Sequence, residues 1–311
     1  MTILTSRQPT AVSAPGKVLL AGGYLVLDRK YDGIVIGTSA RFYSVIYSGK
    51  NDFGEISVHS PQFNDGEWKY RVNESFDDSL SCELQPINPE KRNSFVEIAI
   101  KYSLSIILHR INKHKFQEIF AKGLDIYIVG SNDFYSQREQ LSKRNLPLTS
   151  SSLNSLEPFC KVHCNLKEVH KTGLGSSAAL ITSLVAALFV HFEIVSNQTD
   201  DRGLIHNVAQ FCHCLAQGKV GSGFDVSAAV WGSHIYKRFS PSILDDVMNQ
   251  KVNLSALNNI VDPASNVWDN QATKFSLPPE FTLVLADIDA GSHTPSMVGR
   301  VLKWHKENAD Q

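Results

Sequence analysis

The chain has 311 residues, 42% hydrophobic and 20% charged, and its 30 basic and 31 acidic side chains leave a formal charge of -1. That composition excludes a disordered polymer, and the near-neutral balance excludes a global field for nucleic acid or an anionic membrane. Any attraction for a charged ligand is therefore local. Residues 1–10 carry no cationic segment ahead of a long apolar run, and the most apolar stretch, 178–192, is interrupted by Thr182, Ser183 and His191 and is short for a membrane span. A cytosolic chain is expected. Cys82, Cys160, Cys164, Cys212 and Cys214 have neither paired metal spacing nor a disulfide framework and read as reduced thiols.

In chain order, Val, Ile, Leu and Tyr over 18–27 and 33–47 predict strands connected tightly through Gly22, Gly23 and Asp32-Gly33, with further strands at 56–59 and 68–72. Phe95, Ile98, Ala99, Tyr102, Ile106 and Leu108 recur with a helical period, which predicts a helix over 93–111. Leu124, Ile126 and Ile128 alternate as in a strand, and the polar, Ser-rich 131–158 reads as surface loop. Helices are expected at 176–192 and 201–217, the second opening at Asp201 and closing at Gly218, followed by a strand at 233–239. Beyond Phe239 there remain a helical piece near 243–248, a strand at 281–287 and a helix opening at Thr294-Pro295, too little to bury a core of its own.

The sharpest feature is Lys171-Thr-Gly-Leu-Gly-Ser-Ser-Ala178, a Gly-rich turn running into an apolar helix. Such a turn lets the backbone approach an anion closely. The helix start offers unpaired N–H groups and partial positive charge, and Ser176 and Ser177 add hydroxyls, so phosphate is the natural guest. It is neither G-x-x-x-x-G-K-[ST] nor G-x-G-x-x-G, because the required lysine and the third glycine are missing. Alone, the turn is equally a capped helix with glycines that only redirect the chain.

Ser13-Ala-Pro-Gly-Lys-Val-Leu-Leu-Ala-Gly-Gly-Tyr24, together with Gly173-Leu-Gly-Ser-Ser-Ala178, resembles the first and second motifs of the GHMP small-molecule kinases. Within that superfamily, Gln217-Gly-Lys-Val-Gly-Ser-Gly-Phe-Asp225 and Asp289-Ala-Gly-Ser-His-Thr-Pro-Ser-Met297 resemble the fungal-type phosphomevalonate kinases. The resemblance runs from about Ala11 to the end of the chain, apart from loops. It implies an α+β fold, with a ribosomal-protein-S5-like N-terminal domain over 1–239 and a partial ferredoxin-like C-terminal domain over 240–311. It implies ATP and Mg²⁺ as cofactors and 5-phosphomevalonate as the substrate that accepts the phosphoryl group. The product would be 5-diphosphomevalonate, on the mevalonate route to isoprenoids and sterols. No protein partner is indicated.

By motif position, Lys17 and Asp225 would be catalytic, and Lys171, Gly173, Leu174, Gly175, Ser176, Ser177 and Ala178 would hold nucleotide, with Ser177 a metal ligand. Lys219, Ser222, Gly223, Arg238, Ser292 and Thr294 would bind substrate. Lys17, in a tight Pro-Gly turn at a strand start, could reach a transferring phosphoryl group. Lys219 follows a helix end, where cations also serve as plain caps, and Thr294 is equally an N-cap. Asp225 is either a general base or an electrostatic orienter of Lys17; an acceptor that is itself a phosphate favours the second. Strand alternation sends Lys237 and Arg238 to opposite faces, so at most one serves the site. His163, His170, His206, His213 and His234 have no zinc-site spacing and read as surface or helix residues.

The third glycine-rich motif of the superfamily has no counterpart before the chain stops at Gln311, which predicts an incomplete second domain. Two alternatives stand beside the kinase reading: another enzyme of the superfamily, such as a mevalonate kinase, and a noncatalytic nucleotide-binding fragment.

Overall fold

Apolar and aromatic residues alternating along 10–48 build a long antiparallel pair against which the rest of the chain packs. The computed structural model describes residues 8–49, 52–75, 80–196, 201–248, 252–286 and 294–308. In order they form β1 (Thr10–Ala21), β2 (Gly33–Ser48), β3 (Glu55–His59), β4 (Glu67–Ser75) and β5 (Ser81–Pro86). Next come α1 (Ser94–Arg110), α2 (Lys113–Phe120), β6 (Leu124–Gly130), α3 (Arg138–Lys143) and α4 (Ser150–Asn154). The remainder is α5 (Ser176–His191), α6 (Arg202–Gln217), α7 (Phe224–Trp231), β7 (His234–Lys237), α8 (Asp245–Met248), α9 (Leu254–Val261), β8 (Gln271–Lys274) and α10 (Thr294–Glu307). The sheet runs β5-β4-β3-β6-β2-β7-β8, with β1 paired to β2; β3 and β6 are parallel and the other pairs antiparallel. This is the α+β organisation expected from the sequence.

Position 2 periodicity decides which face of the sheet is covered. Phe42, Ser44 and Ile46 of β2 and Leu124, Ile126 and Ile128 of β6 are buried in register, while Tyr47 and Tyr127 on the opposite face are exposed. The buried face receives α5, whose apolar residues run all round it: Ala178, Ile181, Leu184, Val185, Leu188 and Phe189 are all buried. A helix without a polar face belongs in the interior. Accordingly α5 touches β1 and β2 on one side and α1, α6 and α7 on the others. Each large apolar side chain buried there contributes about 1.5–3 kcal/mol. Among the described residues, no helix is long and apolar enough to cross a membrane.

Several expectations need correction. Residues 24–27 do not extend a strand, because Gly22 and Gly23 both take positive φ and the chain curls into a short 3-10 turn, Gly23–Leu27. The stretch 131–158 is not plain loop: Phe134, Tyr135 and Leu141 are buried, with Phe134 packed 4.9 Å from the Phe42 ring. Two short helices, α2 and α9, were missed; each opens on an asparagine, Asn112 and Asn253, whose side chain accepts the backbone N–H of Lys115 or Ala256. Residues 281–286 form no strand, and Phe281, Val284 and Leu285 are exposed beside no pairing partner. The remainder of that expected strand lies outside the described residues.

Part of the segment after Phe239 docks on the preceding core. Leu244, Val247, Leu257 and Val261 are buried in the same core as α1, α5 and α6, and β8 extends the sheet by pairing with β7. Arg29 ties this region down, with Nη1 2.8 Å from Asp269 Oδ2 and Nε donating to the Arg238 carbonyl at 2.9 Å.

Three of the five histidines expected at surfaces or on helices, His206, His213 and His234, are fully buried. His206 lies between the Trp231 and Trp268 rings, and burial pushes its pKa from 6.5 down to about 4. Between those values the unfolded chain binds a proton that the folded chain refuses. The stability carried by the neutral ring is therefore complete above pH 6.5 and is lost as pH falls toward 4, by about 3 kcal/mol. The melting temperature is expected to drop across that window, and His206→Gln to flatten the drop when both are followed by thermal unfolding from pH 7 to pH 4.

Candidate functional site

The Gly-rich turn sits where α5 meets β1. Its carbonyls face one partner: the Lys17 amide donates to the Leu174 carbonyl at 2.9 Å, and the Lys17 ammonium donates to the Gly173 carbonyl at 3.0 Å. In a trans peptide the N–H points opposite to the C=O, so the amides of Leu174 and Gly175 project away from Lys17. Gly175 is the N-cap of α5 at φ 76, without a side-chain cap, leaving the first-turn N–H groups of the helix without intrahelical acceptors. A concave set of N–H donors at a helix start is an anion cradle.

Only glycine permits the approach on the strand side. A Cβ at Gly16 would lie 2.9 Å from the Leu174 carbonyl oxygen, the Phe134 ring and Thr38 Oγ1. Lys17 is not at a strand start, as expected, but mid-strand in β1, at a register irregularity between Pro15 and Lys17. Its ammonium stands 5.3 Å from the centre of the Phe224 ring. Burial of the stem and head lowers the Lys17 pKa, and the Asp225 carboxylate partly restores it. Asp225 is in the first turn of α7, where Oδ1 accepts the Val226 amide at 3.0 Å. Among the described residues no ion pair joins Asp225 to Lys17, so the carboxylate acts on the ammonium through space.

Gly218 closes α6 in the left-handed conformation, and the chain turns through 219–223 to the start of α7. Lys219 is exposed, its backbone N–H capping the Cys214 carbonyl at 3.2 Å, and its ammonium makes no ion pair among the described residues. The Ser222 carbonyl accepts from Tyr236 at 2.8 Å, and buried Gly223 packs against Phe239 and Tyr236. Arg238 bonds the backbone on both sides of this loop. Its guanidinium donates to the Leu27 carbonyl at 2.7 Å and the Gly221 carbonyl at 2.8 Å, so it braces the loop from behind, while its buried Nε has no partner among the described residues. Lys237 points elsewhere, 3.6 Å from Asp32.

Lys171 precedes the turn and bridges to Tyr135. Ser176 and Ser177 open α5, with Ala178 buried beneath them. Lys17, the 171–178 turn, Asp225 and the 219–223 loop are thus brought together. Ser292 lies outside the described residues, and Thr294 begins α10. One residue of the cluster was missed: His213 on α6, buried, with Nε2 3.1 Å from Ser177 Oγ and Nδ1 3.8 Å from Asp225 Oδ2. Burial lowers its pKa, with Asp225 opposing, so the ring is neutral near pH 7. The signal was the spacing His213-x-x-x-Gln217, which puts both side chains on the face of α6 that leads into the loop.

The cradle fits a phosphate chain: a Cβ at Gly173 would meet nothing within 4 Å, so the turn is open where a ligand would lie. For a divalent cation the residues supply little. Among the described residues no three His, Cys, Asp or Glu side chains are grouped as a metal site. The Ser176 and Ser177 hydroxyls are oxygen atoms in the first turn of α5, where a cation accompanying the phosphates would find a ligand.

Comparison with known proteins identifies the family and the fold. Residues 147–233 match the GHMP kinases N terminal domain. The chain is 40% identical to the peroxisomal phosphomevalonate kinase of Arabidopsis thaliana, covering 96% of this chain and 64% of the relative. It is also 40% identical to the phosphomevalonate kinase of Gibberella zeae, covering 99% and 70%. The chain thus spans about two thirds of the length of the curated relatives it matches. The crystal structure of the Lin0012 protein from Listeria innocua superposes with TM-score 0.63 at 16% identity, over 97% of this chain and 67% of that one, and shares the fold.

The contact at Gly16 can be tested directly. Gly16→Ala is expected to lower stability by about 1–3 kcal/mol, because two of the three atoms in its way belong to the backbone and a packed ring. Gly299→Ala on α10, with nothing within 4 Å, serves as control. Denaturant midpoints of the two variants check this: the first falls and the second does not.

Proposed function

Because the chain belongs to the phosphomevalonate kinase family of GHMP kinases, we propose that it carries the site for ATP-dependent phosphorylation of 5-phosphomevalonate to 5-diphosphomevalonate. The observation that supports this most is Lys17, bonded by both its amide and its ammonium to the carbonyls of the phosphate-binding turn. That places a positive charge at the rim of an anion cradle with a carboxylate close by.

Donor and acceptor in this reaction are both phosphates, so the site's task is to bring like charges together. A phosphomonoester has a second pKa of about 6, which leaves the attacking oxygen largely ionised at neutral pH without a strong base. Charge neutralisation then outweighs proton abstraction. The N–H groups of 174–178 receive the donor's phosphates. Lys17 stabilises the phosphoryl group in transit, and Asp225 keeps its ammonium charged and oriented. Lys219, exposed and unpaired among the described residues, and Ser222 receive the acceptor's phosphate, with Ser292 and Thr294 assigned there by motif position. Arg238 shapes the loop that carries Lys219. Mg²⁺, with Ser177 as its protein ligand, would neutralise the β- and γ-oxygens.

We place the protein in the cytosol on its five free cysteines. A peroxisomal address, as in the name of the Arabidopsis thaliana relative, is the alternative that a fluorescent fusion would reveal.

Release of ADP from Mg-ATP by the 311-residue chain, with 5-phosphomevalonate, mevalonate or buffer as acceptor, tests the activity. ADP is expected only with 5-phosphomevalonate; equal release with mevalonate overturns the substrate assignment. Lys17→Met is expected to lower kcat on the order of 10²–10³-fold with a much smaller change in ATP affinity. Equal loss of both would make Lys17 a ground-state binding group. Asp225→Asn is expected to cost on the order of tenfold; activity at background would make it a general base.

A further inference from the structure

Two side chains converge on one nitrogen of the buried histidine beneath the cradle. His213 Nε2 lies 3.1 Å from Ser177 Oγ and 3.0 Å from the Gln217 amide nitrogen. An amide nitrogen donates and does not accept, so Nε2 is the bare, accepting nitrogen of the neutral ring. The ring proton is then on Nδ1, the nitrogen 3.8 Å from Asp225 Oδ2. Facing an acceptor, the Ser177 hydroxyl can only donate. Its proton is turned back toward α6, and both Oγ lone pairs are left for another partner.

The opposite tautomer would have the opposite consequence. An Nε2–H would donate to Ser177, occupy one of its lone pairs and put a positive ring edge beside any cation bound there. A histidine that served only as packing would have no reason to meet two polar side chains at Nε2 with a carboxylate 3.8 Å from Nδ1, and its surroundings, which include the Phe95 ring 6.2 Å away, would accept an apolar residue of similar size.

We propose that His213 is a positioning residue: by accepting a hydrogen bond from the Ser177 hydroxyl, with its tautomer set by the Gln217 amide and favoured by the nearby Asp225 carboxylate, it holds the Ser177 oxygen toward the divalent cation that accompanies the nucleotide. The identity of that cation rests on the phosphoryl-transfer reading; the orientation of the hydroxyl does not. The arrangement also links the two halves of the site, since Asp225 faces Lys17 on one side and, through His213, Ser177 on the other. Support of this kind behind a metal ligand is commonly worth a factor of 10–100 in metal affinity.

Two measurements decide the proposal. The first is a long-range ¹H–¹⁵N spectrum of the 311-residue chain without ligands, with His213 assigned by its loss in His213→Leu. The Nδ1–H tautomer is expected, and an Nε2–H signal overturns the proposal. The second is calorimetric ATP affinity with and without Mg²⁺. In His213→Leu the tightening by Mg²⁺ is expected to shrink by about tenfold while metal-free affinity is unchanged. His213→Gln, whose amide oxygen restores an acceptor near Nε2, is expected to recover most of it. Adding His213→Leu to Ser177→Ala should cost nothing further. If His213→Leu melts lower yet keeps the full Mg²⁺ effect, the residue is structural and the proposal falls. A wild-type chain that binds no nucleotide would defeat the functional reading, while the nitrogen spectrum would still decide the orientation of Ser177.

Discussion

The site depends on one backbone contact, the Lys17 amide on the Leu174 carbonyl, doubled by the Lys17 ammonium on the carbonyl of Gly173. It joins a strand near the N-terminus to a turn more than a hundred residues later. By drawing the turn's carbonyls to one side, it commits the opposite face of the same peptides to presenting N–H groups. Anion binding and the placement of the lysine are thus consequences of a single arrangement. The arrangement exists because position 16 has no side chain, and three surrounding atoms would each lie 2.9 Å from one.

That contact is precise only because α5 cannot move. The helix is buried along its length between the sheet and three other helices, and packed interiors respond to displacement as solids do. The second wall of the site is mobile by composition but held from behind. Gly218, Gly221 and Gly223 would let 218–223 wander, and Arg238 and Tyr236 prevent this by bonding the carbonyls of Gly221 and Ser222. The polar groups of the site therefore rest on apolar packing on one side and on a backbone-capping arginine on the other.

The long periodic elements were legible in the sequence. α1 and β6 follow from their apolar periods, β2 from its run of Val, Ile and Tyr, and α5 and α6 from the turns and caps that bound them, with α6 ending at Gly218 as its sequence indicates, at φ 68. Less was legible where burial depends on partners distant in the chain. Phe134 and Tyr135 lie in a Ser-rich segment and are buried against Phe42 and Phe63, which local composition does not foretell. The docking of Leu244, Val247 and Leu257 onto the core shared by α1, α5 and α6 likewise depends on distant partners.

The motifs pointed to the chemical class: a Gly-rich turn opening an apolar helix, a Pro-Gly-Lys in a strand region and a Gly-Ser-Gly before an aspartate together resemble the GHMP kinases, and that resemblance implies a phosphate ligand. This information is local, because turns, caps and glycine conformations involve only neighbouring residues. Tertiary structure alone decided which cations and hydroxyls are available. Arg238 bonds carbonyls of the loop it borders, and His213, on α6, lies 3.1 Å from Ser177 and 3.8 Å from Asp225. A side chain's hydrogen-bond partners come from segments far apart in sequence, and only folding brings them within 3 Å of one another.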